Sequence, residues 1–224
     1  MGLCDPHVHT TCSDGRHSPA DVVDHACRVP GLDLIAITDH DCLEGALEAA
    51  AYAESRGLPL RVIPGEEVSS RDGHVVGLFL DALVAPGMSA EDTVRAIHEQ
   101  GGLAVAVHPC RSTGVGRLAE TRLFDAVELL NGAPTPRSRA ANRRAAQLRV
   151  GARAVTGGSD AHVKEMVAAC ATIFPGARPA DFREAVTRAL TEPVTRPVKL
   201  VPYLRYACAK VVRHPAALRE LWPG

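Results

Sequence analysis

Residues 32–40 read Leu-Asp-Leu-Ile-Ala-Ile-Thr-Asp-His, a mainly apolar run of strand length that ends in an acid and a histidine. A short run of branched apolar residues is typical of a strand that is buried on both faces of a sheet. Asp39 and His40, at the end of this strand, are too polar to be expected in an apolar core. The end of this strand is therefore the first candidate for a functional position.

The same pattern occurs at the ends of other predicted strands. The segments are Asp5-Pro-His7-Val-His9, Gly65-Glu66-Glu67 followed by Gly73-His74, Val107-His108-Pro109, and Gly158-Ser159-Asp160-Ala161-His162. Imidazoles and carboxylates gathered from several strand ends form multinuclear metal sites, which activate water and bind an anionic oxygen. The sequence therefore predicts a metal site.

Helical signals alternate with these strands. Ser18-Pro19 begins one predicted helix, with serine as N-cap and proline in the first turn, and Ser89 begins another, which ends at Gly101. The other predicted helices are Glu44–Arg56, Pro136–Arg149 and Pro179–Leu190. The predicted strands are Gly2–Val8, Leu32–Thr38, Leu60–Glu67, His74–Leu80, Leu103–His108, Ala126–Leu130, Ala154–Ser159 and Ala171–Phe174.

This alternation predicts an α/β fold with a mostly parallel sheet. Seven or eight strand–helix units over about 190 residues favour a small closed barrel, with helices outside and the site at the carboxyl ends of the strands. An open doubly wound sheet is the alternative. Residues 1–197 are predicted to form this domain, and residues 198–224 a helical extension packed on it. Alternatives for the extension are a dimer contact or a basic element that attracts an anionic substrate or lipid.

Bulk composition narrows the function classes. With 46% apolar residues, 23% charged residues and a formal net charge of -1, the chain carries no whole-surface signal for nucleic acid or anionic membranes. No apolar run reaches the roughly 18 residues of a membrane span, and no secretory signal is visible. The seven cysteines form no Cys-x-x-Cys pair, which predicts reduced thiols in the cytoplasm. Those near the predicted ligands are interpreted as packing residues, with metal ligation as the alternative.

Spacing within the motifs shows which side chains can act together. His7 and His9 are two residues apart on a strand and share a face, as do Asp160 and His162. The Ser-Asp-Gly turn that follows the first motif can bring Asp14 back to a neighbouring ion. Glu66 and Glu67 are adjacent, so only one can face a barrel interior, and strand parity leaves the choice between them open. The histidines at positions 17, 25, 98 and 214 are interpreted as structural.

Two further residues are candidates for catalysis. Asp39 either orients an imidazole or starts the next loop. The proton for the leaving group would come from Asp39 or from a metal-bound histidine. Arg111 follows His108-Pro109 and would form part of an anion pocket, with a solvent-facing loop residue as the alternative.

Taken together, these motifs resemble the PHP (polymerase and histidinol phosphatase) superfamily of metal-dependent phosphoesterases, from about residue 3 to residue 195. The resemblance is closest to its short stand-alone members, including those grouped with carbamate-hydrolysing enzymes. It implies a distorted (β/α)7 barrel and up to three Mn, Fe or Zn ions. In the family pattern Gly-x-Glu, Glu67 is the ligand. Ala168 stands where relatives often have glycine, and the short interval between His74 and His108 has no lid-like insertion, which implies an open site.

The resemblance also implies a ligand set. The implied ligands are His7, His9, Glu67 and Asp160 for a first ion, Asp14, His40 and His162 for a second, and Glu67, His74 and His108 for a third. The predicted reaction is hydrolysis of a phosphate ester in a small anionic molecule by a metal-bridged hydroxide. Hydrolysis of a carbamate, ester or amide is the alternative, and a non-catalytic metal-binding module is a third interpretation.

Overall fold

The computed structural model describes residues 1–197 and residue 201. The strands are β1 Gly2–Val8, β2 Leu34–Ile37, β3 Arg61–Ser70, β4 Gly73–Leu78, β5 Leu103–Ala106, β6 Ala126–Asn131, β7 Ala154–Gly158, β8 Cys170–Phe174 and β9 Glu192–Thr195. The helices are α1 Pro19–Ala26, α2 Glu44–Ser55, α3 Ala90–Glu99, α4 Pro136–Ala145 and α5 Pro179–Thr187, with short 3-10 helices at Gly116–Glu120 and Lys164–Met166. The predicted extension over residues 198–224 lies outside the described residues, and the boundary at residue 197 stays a prediction.

All strands belong to one sheet, in the order β7-β6-β5-β4-β3-β2-β1-β8-β9. The sheet curls until its ends approach each other. Thr172 Oγ1 of β8 donates to the Gly157 carbonyl of β7 at 2.9 Å and accepts from the Gly157 N–H at 3.0 Å. Beyond β7, the Asp160 N–H donates to the His7 carbonyl at 2.9 Å. The predicted α/β barrel is confirmed, because these contacts nearly close the sheet.

The strand directions differ from the mostly parallel sheet that was predicted. Four pairings of the described sheet are parallel and four are antiparallel. Only Arg71 and Asp72 connect β3 to β4. Two residues can form a hairpin but not the crossover of a dozen or more residues that parallel strands need. Strand β9 was not predicted because its sequence is short and carries Pro193, which suits an edge strand.

The predicted helix starts are confirmed. The hydroxyl oxygens of Ser18 and Ser89 accept from the Asp21 and Asp92 N–H groups, both at 3.1 Å, which satisfies backbone donors that the first turn leaves unpaired. Helix α5 covers the barrel end opposite the strand ends that carry the motifs. There the Phe182 ring packs edge-on against Phe174, with 5.2 Å between centroids. Within the described residues, none of these helices has the length and apolarity to cross a membrane.

Candidate metal centre

Glu67 lies at the centre of a cluster of histidines. Its side chain is 1% exposed. The Oε1 atom lies 2.8 Å from His74 Nδ1 and 2.8 Å from His108 Nε2. The Oε2 atom lies 3.1 Å from His7 Nε2 and 3.2 Å from His9 Nε2. A single carboxylate therefore contacts imidazoles that come from β1, from β4 and from the loop after β5.

The structure brings all nine predicted ligands together. Three groups have donor atoms within 4.8 Å of one another: His7, His9, Glu67 and Asp160; His9, Asp14, His40 and His162; and His40, Glu67 and His74. The first group equals the set implied for the first ion, and the second adds His9 to the set implied for the second. The third group contains His40 where the implied third set has His108, although His108 contacts the same Glu67 oxygen as His74.

Glu66 points away from this cluster. It is fully buried, and its Oε2 accepts from the Val84 N–H at 2.8 Å. Burial raises the pKa of Glu66 to about 7. The direction of the two side chains therefore answers the question that strand parity left open, because only Glu67 faces the histidines.

His9 provides a test of whether the cluster suits metal ions. Both nitrogens of its buried ring lack a hydrogen-bond partner, although Nε2 lies 3.2 Å from Glu67 Oε2 and 3.3 Å from Asp160 Oδ1. Buried polar atoms are normally hydrogen-bonded. Donor atoms that converge without hydrogen-bond geometry are instead arranged like ligands around a common position. Nitrogen and oxygen donors of this kind fit Mn, Fe and Zn.

Charges within the cluster are strongly coupled. Burial alone would raise the pKa of Glu67, but the charge of His7 and the hydrogen bonds from His108, His7 and His74 hold it well below its ordinary value. Burial lowers the pKa of His40 to about 4. The acid is therefore ionised at neutral pH and His40 is neutral. The carboxylates of Glu67 and Asp160 outweigh burial and raise the pKa of His7 and of His9, so a metal ion would displace protons from these two rings.

Asp39 holds the loop that follows β1. Its Oδ1 accepts from the Thr10 N–H at 2.7 Å and from Ser13 Oγ at 2.5 Å, and its Oδ2 accepts from Thr10 Oγ1 at 2.6 Å. A Cβ atom added at Gly45 would lie 2.4 Å from Asp39 Oδ2, so glycine leaves room for this carboxylate. Through Ser13, these contacts position Asp14, whose Oδ1 lies 2.9 Å from His162 Nε2. The predicted catalytic role of Asp39 stays a prediction.

The Asp5 carboxylate also holds a loop next to the cluster in place. The buried carboxylate accepts from the Ser159 N–H at 2.9 Å and from the Ala168 N–H at 2.7 Å. Ala168 has a φ of +62°, in the left-handed region that glycine adopts without strain. The turn that relatives often build with glycine is therefore retained here with alanine. It anchors the segment that carries Asp160 to β1.

Arg111 lies at the edge of the cluster. Its Nη1 donates to Asp160 Oδ2 at 2.7 Å and lies 3.5 Å from Asn131 Oδ1, and its side chain is partly exposed. Asp160 thus directs Oδ1 toward His9 and Oδ2 toward Arg111. Arg111 therefore lies beside Asp160, one of the predicted ligands, and its role in binding an anion stays a prediction.

Sequence reasoning did not assign a role to Glu128. This residue of β6 is buried, and its Oε1 lies 3.0 Å from His7 Nδ1. Its Oε2 accepts from the His108 N–H at 2.9 Å and from Asn131 Nδ2 at 3.0 Å. A carboxylate on the second nitrogen of a histidine fixes which nitrogen carries the proton and which can bind metal. An acid within the apolar run Ala126-Val-Glu-Leu-Leu is the signal that could have revealed it.

Glu128→Gln is expected to weaken metal binding about 10-fold to 100-fold, because the variant keeps the shape of the side chain but loses the charge that orients His7. Metal affinity would be measured by competition with a chromogenic chelator. Glu192→Gln, on the exposed part of β9, is the matched control and should bind metal like the wild type. Equal affinities in the two variants would show that Glu128 has only a packing role.

The remaining described histidines lie outside the cluster. His98 Nε2 lies 2.8 Å from Asp125 Oδ2 near the surface, and His17 Nδ1 accepts from the Lys164 N–H at 3.2 Å. Burial lowers the pKa of His25 and of His17. These positions agree with the structural interpretation, while His214 lies outside the described residues. The three candidate ligand groups found in the described part of the chain contain no cysteine.

A nearly closed α/β barrel with imidazoles and carboxylates clustered at its strand ends defines the class of barrel proteins built around multinuclear metal sites. Comparison with known proteins supplies the family. A family model described as PHP-associated matches residues 139–191. The uncharacterized protein MJ1587 of Methanocaldococcus jannaschii is 33% identical over 142 residues, which are 57% of this chain and 80% of that protein. The chain belongs to the PHP superfamily of metal-dependent phosphoesterases.

Two further proteins resemble this chain over different lengths. The 3',5'-nucleoside bisphosphate phosphatase of Chromobacterium violaceum is 45% identical over 86 residues, 36% of this chain and 29% of that protein. A two-domain protein of Bacteroides vulgatus that contains a predicted PHP-like metal-dependent phosphoesterase has a TM-score of 0.68 at 21% identity, over 87% of this chain and 64% of that one. The second likeness shows the fold. The chain spans less than a third of the phosphatase.

Proposed function

We propose that this protein hydrolyses a phosphate ester with divalent metal ions held around Glu67. The observation that carries the proposal is the arrangement of Asp160, which faces the histidines with Oδ1 and Arg111 with Oδ2. Ligands for metal ions thus stand directly beside a cation that can hold anionic oxygens. This combination suits a phosphate ester, because its oxygens are already anionic when it binds and the guanidinium can hold them from the start.

Each proposed ion has its own set of ligands. The sets are His7, His9, Glu67 and Asp160; Asp14, His40 and His162; and Glu67, His74 and His108. Divalent ions at such sites lower the pKa of water toward neutrality and withdraw charge from a phosphoryl oxygen. Whether two or three ions bind, and whether they are Mn, Fe or Zn, is part of the proposal.

The surrounding residues keep the ligands in their binding forms. Glu128 can accept the proton of His7 Nδ1, which would leave His7 Nε2, 3.1 Å from Glu67 Oε2, as the nitrogen available to a metal ion. Asp39 accepts three hydrogen bonds from Thr10 and Ser13, and we therefore assign it a positioning role rather than proton transfer. Such fixed contacts reduce the reorganisation that metal binding and catalysis would otherwise require.

Arg111 would bind the non-bridging oxygens of the substrate. The planar guanidinium has N–H donors on more than one edge, so it can contact Asp160 and phosphoryl oxygens together. It would also stabilise the charge that accumulates on these oxygens in the transition state. The proposed substrate is accordingly an anionic ester, which the barrel binds at the open ends of its strands.

Arg111→Ala is expected to raise the KM for an aryl phosphate about tenfold, which corresponds to about 1.4 kcal/mol of lost binding free energy. Arg111→Lys keeps the positive charge but loses the planar guanidinium with its paired N–H donors. Its KM should therefore lie between those of Arg111→Ala and the wild type. Steady-state kinetics at saturating Mn would be compared with metal content. Unchanged KM in Arg111→Ala would refute anion binding by this residue.

Paired hydrolysis assays test the proposed reaction itself. Purified protein with added Mn would be given an aryl phosphate and an aryl ester of the same alcohol. Release of phosphate with two or three bound ions per chain supports the proposal. Cleavage of the ester alone would instead assign the carbamate, ester or amide hydrolase that is the alternative. A protein that binds no metal would contradict both reactions.

The proposal also includes a cytoplasmic location. The six cysteines of the described residues are free thiols, which is the state that a reducing compartment maintains. The predicted oligomer contact through the carboxyl-terminal helix concerns residues outside the described part of the chain.

A further inference from the structure

The side chain of Asn131 lies between two buried carboxylates. This residue ends β6 and is 3% exposed. Its Nδ2 atom donates to Glu128 Oε2 at 3.0 Å and to Asp160 Oδ2 at 3.2 Å. Glu128 contacts His7 through its other oxygen, while Asp160 is itself a proposed ligand. One amide group therefore connects the acid that orients an imidazole with an acid that would bind a metal ion.

A further contact fixes which way round this amide lies. The Asn131 Oδ1 atom accepts from the Ala133 N–H at 3.2 Å. A backbone N–H can only donate, so it must face the oxygen of the amide and not the nitrogen. The reversed amide would also place its oxygen against two carboxylates, which accept hydrogen bonds but donate none when ionised. The nitrogen with its two hydrogens therefore faces Glu128 and Asp160.

The backbone of Asn131 is held in place as well. Asn142 of α4 accepts from the Asn131 N–H at 3.1 Å through Oδ1 and donates to the Asn131 carbonyl at 2.9 Å through Nδ2. On the other side, a Cβ atom added at Gly132 would lie 2.8 Å from the Ser159 carbonyl oxygen. Glycine thus lets the end of β6 approach the segment that carries Asp160. The amide is fixed in position before any ligand binds.

The two oxygens of Asp160 have different surroundings. Oδ1 lies 3.3 Å from His9 Nε2 and 3.5 Å from His162 Nδ1. Oδ2 accepts from Asn131 at 3.2 Å and from Arg111 at 2.7 Å. A carboxylate with no such donors is able to bind an ion through one oxygen or through both. With two donors on Oδ2, only Oδ1 is left for an ion.

We propose that Asn131 is a positioning residue, whose amide fixes Asp160 so that Oδ1 serves a metal ion while Oδ2 serves Arg111. This inference rests on the proposed function for the anion that Arg111 binds. Without the amide, Glu128 and Asp160 lose the donor that they share, and like charges at this distance repel each other. Asp160 then turns both oxygens toward the ligand histidines, and Arg111 loses its acceptor.

This sequence of contacts distinguishes positioning from simple packing. The direct approach of Asn131 Oδ1 to Arg111 Nη1 is long, at 3.5 Å, so Asn131 acts on Arg111 mainly through Asp160. Loss of Asn131 and loss of Arg111 should therefore remove the same share of anion binding, and their effects should not add. A residue that only fills space would weaken binding independently of Arg111.

A double-mutant cycle with phenylphosphonate, an anion that resembles an aryl phosphate but is not hydrolysed, tests this inference. Binding to the protein saturated with Mn would be measured by titration calorimetry. Asn131→Leu, which fills similar space without a donor, and Arg111→Ala are each expected to bind the phosphonate about tenfold more weakly. The double variant should also bind about tenfold more weakly, whereas independent effects would give about a hundredfold.

A control in the same loop separates positioning from disturbance of the fold. Thr135 is the N-cap of α4 and contacts the Ser138 N–H but neither carboxylate. Thr135→Ala should lower the melting temperature but bind the phosphonate within about twofold of the wild type. Asn131→Ser, a milder change, takes the place of Asn131→Leu in the cycle if that variant does not fold, and the same lack of additivity is expected.

Three results would overturn the inference. They are additive effects in the double variant, normal phosphonate binding by the Asn131 variant, and equal weakening by Thr135→Ala. Failure of the wild type to bind phenylphosphonate would overturn it as well, because Arg111 would then hold no anion. Coupled phosphonate binding without hydrolysis of an aryl phosphate would contradict only the proposed function.

Discussion

Glu67→Gln is expected to lower phosphate ester hydrolysis about a thousandfold or more, a loss of about 4 kcal/mol in transition-state stabilisation. The carboxylate lies within 3.4 Å of five imidazoles through its two oxygens, and it is the one acid shared by two of the proposed ligand sets. Glutamine keeps the shape of the side chain but replaces one oxygen by an amide nitrogen that cannot bind a metal ion. The measurement is kcat together with bound metal per chain.

The neighbouring residue provides a matched control. Glu66 is equally buried, but its carboxylate contacts the Val84 N–H and not the histidines. Glu66→Gln should therefore retain metal content and hydrolysis within about threefold, because the oxygen of glutamine can still accept that hydrogen bond. If both variants lost activity equally, the effect would come from disturbance of β3. Full activity in Glu67→Gln would remove it from the metal centre.

Removal of metal is the second change with a large expected effect. Exhaustive chelation should abolish hydrolysis and lower the melting temperature by about 10 °C. Metal ions at a free concentration about a thousandfold above their Kd add about 4 kcal/mol to the free energy of unfolding, and chelation removes this contribution. Glu67 and Asp160 are ionised and buried at the centre of the cluster. Without metal ions, their negative charges lose partners that stabilise the folded protein. Calorimetry before and after re-addition of Mn measures both effects.

Comparing variants shows whether the loss of stability on chelation comes from this metal centre. Glu67→Gln should show a much smaller change in melting temperature on chelation, whereas Glu66→Gln should respond like the wild type. A chelated wild-type protein that keeps both its melting temperature and its activity would contradict the metal-dependent mechanism. Loss of stability without loss of activity would assign the ions a purely structural role.

The amino-acid sequence was sufficient to predict most of the framework. Helix starts followed from local signals, since the Ser18 and Ser89 hydroxyls bond to backbone N–H groups within their own first turns. Strand directions did not follow, because pairing partners are chosen across the sheet. The exception is the connection of two residues between β3 and β4, whose shortness could have predicted a hairpin.

The candidate site was also predictable only in part. The motifs near the predicted strand ends offered the candidates, and the resemblance to the PHP superfamily implied which nine of them are ligands. The structure brings these side chains within reach of one another. The pairing of Glu128 with His7 joins residues 121 positions apart. The interaction of Arg111 with Asp160 joins residues 49 positions apart. Neither contact has a local sequence signal that identifies its partner.

By itself, the sequence determined the apolar strands, the capped helices, and the imidazoles and carboxylates near the strand ends. These properties depend on neighbouring residues and on spacing, so they can be read along the chain. The tertiary structure showed that Glu67 rather than Glu66 faces the histidines, which strand parity left open and only the family resemblance implied, and it alone decided that Arg111 pairs with Asp160. It did so because side-chain direction and the position of charge depend on how distant segments pack, and a net charge of -1 averages over that arrangement.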